Sequence, residues 1–303
     1  MKTTSLLNHN IITGALCAGA VTLLAAGASG QTLYESDLYT GAINKFNSSG
    51  NATTFVPSTQ PLAEQIAFNS SGYMFVGNNS GPSITEIAPN GTTSSFGSGF
   101  SAPGGVAVDN AGNVFVTSQG NGEIFKVAGN GAESVFAQGL DVPYYLTFNS
   151  AGNLFESDWG SGDIYEFSST GAETLYASGF QKPTGLAFNK AGDLFVSTAL
   201  NGGSVQEITP TGTSTIITDL HDTQNLAFDN SGDLFIAVAG LAGETGYIEE
   251  ITSTGTQEEF STQVSSPIGL AFAPLPEPST LALLAMGASA VALRLRRKNS
   301  GQN

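Results

Sequence analysis

Short apolar runs recur along this chain at a fixed interval. Ile66-Ala67-Phe68, Val106-Ala107-Val108, Leu146-Thr147-Phe148, Leu186-Ala187-Phe188, Leu226-Ala227-Phe228 and Leu270-Ala271-Phe272 follow one another at spacings of 40, 40, 40, 40 and 44 residues. A glycine sits at the same place in each interval (Gly72, Gly112, Gly152, Gly192, Gly232), and a phenylalanine follows three residues later (Phe75, Phe115, Phe155, Phe195, Phe235). Between the two ends no stretch keeps a helical period. Apolar and polar positions alternate over short runs and break at Gly, Asn, Asp and Ser, which predicts strands joined by turns. The third repeat reads as strands over Tyr145–Asn149, Asn153–Ser157, Asp163–Ser168 and Glu173–Ala177. Repetition at this period, with four strands to a unit, predicts an all-β, six-bladed propeller.

Counting blades predicts how the ring closes. Five complete repeats start at Ile66, Val106, Leu146, Leu186 and Leu226. Leu33–Val56 holds only second, third and fourth strands, and Ile268–Ala273 only a first strand. Sharing one blade between these two ends leaves no open edge to invite aggregation, and it makes residues 31–273 one domain. Phe75 to Ile84 and Phe155 to Ile164 each span nine positions, whereas Phe235 to Ile248 spans thirteen. The four extra residues therefore extend the loop between second and third strands, around Gly240–Glu244.

The ends follow other rules. Lys2 precedes an uncharged stretch from Ile11 to Ala28, and small residues at Ala26, Ala28 and Gly30 lead into polar sequence at Gln31. This is the order of a secretory signal peptide over residues 1–30. At the far end Pro276-Glu277-Pro278-Ser279 leads into an uncharged run from Thr280 to Leu293, then Arg294, Arg296, Arg297 and Lys298. As a transmembrane-like helix the run reaches about 21 Å, short of the roughly 30 Å hydrocarbon core. Snorkelling arginines and local thinning supply part of the difference, and the basic cluster predicts a cytoplasmic end. Residues 274–303 resemble the PEP-CTERM sorting signal of Gram-negative bacteria. That resemblance implies Pro276, Glu277 and Pro278 as the sorting motif, with Arg294, Arg296 and Arg297 behind the apolar run. It also implies processing by an exosortase, a transient inner-membrane anchor, and a final place at the cell surface or in the extracellular matrix.

Charge changes the picture of the middle. The 303 residues are 40% hydrophobic, enough to build a core, and carry 25 acidic against 9 basic residues. Residues 31–273 hold 24 of those acids against Lys45, Lys126, Lys182 and Lys190 alone, a net charge of −20. Such a domain has no basic face to neutralise phosphates, so nucleic acid is excluded as a partner. The single cysteine, Cys17, lies in the leader, which excludes a disulfide scaffold and a Cys-rich zinc site.

Pro103-Gly104-Gly105-Val106-Ala107-Val108-Asp109 and Gly112-Asn113-Val114-Phe115-Val116, recurring in the other repeats, resemble NHL-type six-bladed propellers and the wider TolB-like and gluconolactonase-like group. In a four-stranded propeller the loops entering first strands and those after second strands share one face. Here that face gathers Glu64, Gln65, Tyr144, Tyr145, His221–Asn225, Tyr39, Asn78, Asn79, Asp158 and Trp159. The resemblance implies a metal held at the starts of several first strands. The matching residues are Gln65, Gly105, Tyr145, Gly185, Asn225 and Gly269, none of them a carboxylate, so no metal site, cofactor or catalytic residue is expected. The leading expectation is non-enzymatic binding of an extracellular polysaccharide or surface protein. Tyr144, Tyr145 and Trp159 would stack on sugar rings, and Glu64, Asp158, His221 and Asn225 would supply polar contacts. The alternative is a metal-dependent lactonase or hydrolase, or a lyase using Glu64, His221 and Asn225.

Glu35 and Glu156 stand where other repeats have Val76, Val116, Val196 and Ile236, and Asp37 and Asp158 follow two residues later. These carboxylates either bind a cation or a hydroxyl-rich ligand, or make structural hydrogen bonds to backbone amides. Asp229-Asn230-Ser231-Gly232-Asp233 resembles a calcium loop superficially, but it recurs in register as a hairpin turn and lacks the later Glu.

Overall fold

A computed structural model describes residues 31–58, 62–199, 203–212, 214–218, 220–240 and 245–275. Residues 1–30, read above as a signal peptide, and the residues from Pro276 onward lie outside the described residues, as do the flanking helices expected there. Among the described residues no helix is long and apolar enough to cross a membrane.

The chain opens with β1 (Leu33–Asp37), β2 (Ile43–Phe46) and β3 (Ala52–Val56). Blade one follows as β4 (Ala63–Phe68), β5 (Met74–Asn78), β6 (Ile84–Ile87) and β7 (Thr93–Phe96), and blade two as β8 (Pro103–Val108), β9 (Val114–Ser118), β10 (Glu123–Val127) and β11 (Glu133–Gln138). Blade three comprises β12 (Pro143–Phe148), β13 (Leu154–Asp158), β14 (Asp163–Phe167) and β15 (Glu173–Ser178), each within two residues of its sequence expectation. Blade four is β16 (Pro183–Phe188), β17 (Leu194–Thr198), β18 (Ser204–Ile208) and β19 (Ser214–Thr218). Blade five is β20 (Thr223–Phe228), β21 (Leu234–Val238), β22 (Tyr247–Ile251) and β23 (Gln257–Ser261), with its long loop between β21 and β22. The final strand, β24 (Pro267–Phe272), pairs antiparallel with β1, Leu33 facing Phe272 and Glu35 facing Leu270. Blade six therefore has the order β24-β1-β2-β3, and all six sheets have four strands.

Local chemistry explains why the repeat folds this way. Each hairpin between first and second strands is an Asx turn: Asn69, Asp109, Asn149, Asn189 and Asp229 accept the amides two and four residues on through Oδ1. The calcium-like sequence at Asp229 is one of these turns. The glycine three residues on, such as Gly152 at φ 84°, takes a left-handed backbone that a side chain resists.

The recurring phenylalanines join blade to blade. Phe115 packs edge-on against Phe148, Phe155 against Phe188, Phe195 against Phe228, and Phe235 against Phe272, at centroid separations of 5.2, 4.9, 4.9 and 5.1 Å. Tyr34 and Phe68 make the same contact where blade six meets blade one. Each pair contributes about 0.5–1.5 kcal/mol beyond its buried area.

A second joint uses hydroxyls. Ser36, Thr117, Ser157 and Ser197, one on each of four second strands, accept the amides of Gly269, Gly105, Tyr145 and Gly185 in their own blades. The same oxygens donate to the carbonyls of Glu64, Tyr144, Thr184 and Gln224 in the next blade. Each buried bridge is worth about 1 kcal/mol net.

Candidate functional site

The six inner strands, β4, β8, β12, β16, β20 and β24, surround an axial cavity of about 360 Å³ lined by their second halves, including Ala67, Ala107, Thr147, Ala187 and Phe228. Gln65 spans the cavity's loop-face end. Its Oε1 accepts the amides of Val106 and Leu146 at 2.9 and 3.0 Å, and its Nε2 donates to the Leu146 carbonyl at 2.8 Å. Asn225 is also buried, accepting the Leu226 amide and donating to the Leu270 carbonyl.

Close strand approach decides what stands at the entries to the first strands. A Cβ on Gly105 would lie 2.3 Å from the Tyr144 carbonyl oxygen, one on Gly185 2.5 Å from that of Gln224, and one on Gly269 2.2 Å from that of Glu64. No metal-ligating side chain fits at these three positions. Among the described residues no group of three His, Cys, Asp or Glu side chains converges to hold a metal ion. The metal set that the resemblance implies does not fit this geometry.

A polar group occupies the centre of the loop face. Glu64 is 3% exposed. Its Oε1 accepts from the Asn79 amide at 2.8 Å and its Oε2 from Gln119 at 3.4 Å, while Asn79 also donates to Gln119. Gly104 makes room for it, since a Cβ there would lie 2.3 Å from Oε2. Burial pushes the Glu64 carboxyl up to about 7 against the two amides, which lower it. Tyr144 is half-buried and lies within the electrostatic reach of Glu64 and Asp222. Its ring stacks on Tyr145 at 4.6 Å. Tyr145 is wholly buried, with a hydroxyl that has no hydrogen-bond partner among the described residues, and packs with Ala239 and Ile268 from the far side of the ring. Asp222 takes a left-handed backbone at φ 51° and accepts from Gln224 at 2.7 Å. Burial raises its carboxyl. His221 beside it is exposed.

The other expected residues lie apart from this centre. Asp158 is buried, accepting the amides of Val142, Gly160 and Ser161 through Oδ1 and that of Asp141 through Oδ2. Asp37 does the same work in blade six for Tyr39, Thr40 and Ser266. Asn78 donates to the Thr85 hydroxyl. Trp159 is half-buried at a cleft of about 230 Å³, formed by its own turn and by Phe180, Gln181 and Lys182 entering blade four. Tyr39, 76% exposed, occupies the corresponding loop of the opposite blade. The structure thus brings Glu64, Tyr144 and Tyr145 together and places Trp159 in a cleft of its own. Sequence reasoning passed over Gln119 and Lys182. Lys182 carried a signal, as the one lysine among the aligned residues Leu62, Ala102, Val142, Lys182 and Asp222.

Residues 274–298 match the PEP-CTERM protein-sorting motif. No curated protein matches the chain significantly. Among solved structures, a chain of a nidogen/laminin complex superposes with a TM-score of 0.70 at 18% identity, covering 82% of this chain and 100% of that one. Virginiamycin B lyase from Staphylococcus aureus gives 0.61 at 20% identity, covering 80% and 89%. A gluconolactonase from Xanthomonas campestris gives 0.59 at 16%, covering 68% and 78%. Likeness at such low identity establishes the fold and leaves the activity open. The chain therefore carries a six-bladed β-propeller, closed by the pairing of β24 with β1, and the PEP-CTERM sorting motif of exported Gram-negative proteins.

Proposed function

We propose that this protein is a surface- or matrix-associated propeller of the NHL or TolB-like kind that binds a glycan or protein through its loop face. The signal segment 1–30 directs its export, and an exosortase processes it at Pro276-Glu277-Pro278 after transient anchoring in the inner membrane. The observation that carries binding is the cleft at Trp159, where a half-buried indole lines a hollow on a rigid ring. Flat aromatic surface with polar groups at its edge suits a sugar ring. Tyr144 and Tyr145 support the face from beneath, since Tyr145 is fully buried and Tyr144 stacks on it.

One experiment tests both halves. Surface extracts from cells with and without the exosortase are compared, and the released protein is probed on a glycan array beside its Trp159→Ala variant. The protein is expected in the first extract only, and the variant is expected to bind at least tenfold more weakly. Equal binding by the variant removes the cleft from the reading, and equal release removes the exosortase.

Glu64 favours a second reading, a lyase or lactonase of the kind named for two structural neighbours. A buried carboxyl poised near 7 beside Tyr144 has the value that suits a general acid or base at neutral pH. On that reading Glu64→Gln lowers turnover of a streptogramin or a lactone at least a hundredfold. The absence of turnover by the unaltered protein on either substrate rejects it.

A further inference from the structure

We infer that the Trp159 cleft selects an acidic sugar, with the carboxylate of a uronate unit meeting the Lys182 ammonium where it stands over the indole. This rests on the reading of the loop face as a glycan-binding surface and names the class of glycan.

The ammonium is the distinguishing feature. Lys182 Nζ lies 3.6 Å from the Trp159 ring centroid, well within the range of a cation–π contact. The other lysines sit elsewhere: Lys45 over Phe55 and Lys126 over Phe115 on third strands, and Lys190 on the Asn230 carbonyl at the opposite face. Among the described residues Lys182 is thus the only lysine or arginine of the loop face. Of the carboxylates beside the cleft, Asp158 is engaged by four backbone amides, and Asp141 lies exposed over Gly160, where a Cβ would lie 2.4 Å from its carboxyl carbon.

The scaffold fixes where this side chain starts. Lys182 has a left-handed backbone at φ 57°, and its carbonyl accepts the Ala199 amide. Leu62, Ala102 and Asp222 share that conformation at three of the four other aligned positions, Val142 being the exception, so in these blades the backbone aims the Cβ of residues as different as leucine and aspartate. Only at this entry does the position carry an ammonium, and the neighbouring loop of blade three carries the indole.

Size and charge then select the ligand. At about 230 Å³ the cleft is smaller than the roughly 300–1,000 Å³ of pockets that enclose a drug-sized molecule, so it takes one unit of a longer chain. The domain's formal charge of −20 comes from acids distributed through all six blades, and the field of its exposed ones is screened beyond about 8 Å at physiological salt. A carboxylate hydrogen-bonded to Lys182 inside the cleft is screened far less, and such charge-assisted bonds are about twice as strong as neutral ones. A neutral sugar would strip water from the ammonium without that return.

Trp159 is the only tryptophan in the chain, so its fluorescence reports on this cleft directly. The full protein is titrated with oligomers of galacturonate, glucuronate and mannuronate and with their methyl esters, beside Lys182→Gln and Lys182→Arg. At least one uronate oligomer is expected to give a saturable emission change, with its ester at least tenfold weaker. Lys182→Gln should reduce the acid to the affinity of its ester, and Lys182→Arg should retain the preference. Equal affinity for acid and ester, unaltered in Lys182→Gln, overturns acid selection while leaving glycan binding in place. Silence towards all six probes also overturns it, and the glycan reading then stands or falls on the array alone.

Discussion

Glu35→Gln should make the protein more stable at pH 9 by several kcal/mol and leave its stability at pH 5 nearly unchanged. Glu35 has no exposure to solvent. Burial raises its carboxyl from 4.5 to about 8, the Asn44 amide lowers it, and nearby Asp37 adds to the rise. Oε2 accepts from Asn44 at 2.9 Å, and Oε1 has no partner among the described residues. The folded state therefore holds a proton that the unfolded chain releases above pH 4.5. Stability from this group is fully present below pH 4.5, declines as pH rises towards 8, and is flat beyond. The difference approaches about 5 kcal/mol at roughly 1.4 kcal/mol per pK unit, or about 10–20 °C in Tm for a domain of this size. Glu156 acts in the same direction: burial and then Asp158 hold its carboxyl well above the usual range, while the Tyr144 amide lowers it. In Asp37 burial is outweighed by the Ser265 hydroxyl and the Thr40 and Ser266 amides, so its carboxyl falls and its contribution is lost in acid instead. Urea unfolding of the unaltered protein, Glu35→Gln and Glu156→Gln at pH 5, 7 and 9 checks this. Glutamine keeps an acceptor for Asn44 or for the Tyr144 amide, so each variant should flatten the profile. Profiles that stay parallel to the unaltered protein's would show that these carboxyls do not retain their protons.

The same two residues mark the limit of what the sequence could disclose. Spacing alone placed every strand of blade three and the shared blade, because the Asx turns and the Phe contacts depend on residues close in sequence or repeated at a fixed interval. It also singled out Glu35 and Glu156 as charges in apolar positions, without choosing between ligand and scaffold. That choice depends on neighbours in other elements: Asp158 faces four amides of its own loops, whereas among the described residues Glu156 receives only the Tyr144 amide and leaves Oε2 bare. The face shared by Tyr144 and Trp159 was legible from topology, but its division into a buried centre and an outer cleft was not. Glu64 meets Gln119 across 55 residues, and Lys182 reaches Trp159 from the next blade's entry. Contacts made once leave no period to read.

Restoring the repeat's commonest residue at Gly77 should destabilise the protein. Ser36, Thr117, Ser157 and Ser197 occupy this second-strand position in four blades and bridge to the next blade's carbonyl. By repeat logic Gly77→Ser would add a fifth bridge and about 1 kcal/mol. Here, however, a Cβ would lie 1.9 Å from the Gly104 carbonyl oxygen and 2.6 Å from its carbon, and a backbone cannot rotate aside as a side chain can. Relief requires β8 to move away from β5. Gly104 is held in turn beneath the Glu64 carboxylate and Gln119, so the movement also breaks the seat of Glu64. Overpacking of this kind costs about 1–3 kcal/mol, and more where the opposing atoms are fixed, so a loss of at least 3 kcal/mol is expected. Gly112→Ala is the control. Its Cβ meets nothing within 4 Å, and only its left-handed φ of 81° resists, a cost of about 1 kcal/mol. Denaturant unfolding of both variants measures the difference. If Gly77→Ser proves as stable as the parent, blades one and two part without penalty, and the tight seat of Glu64 is not what sets their spacing.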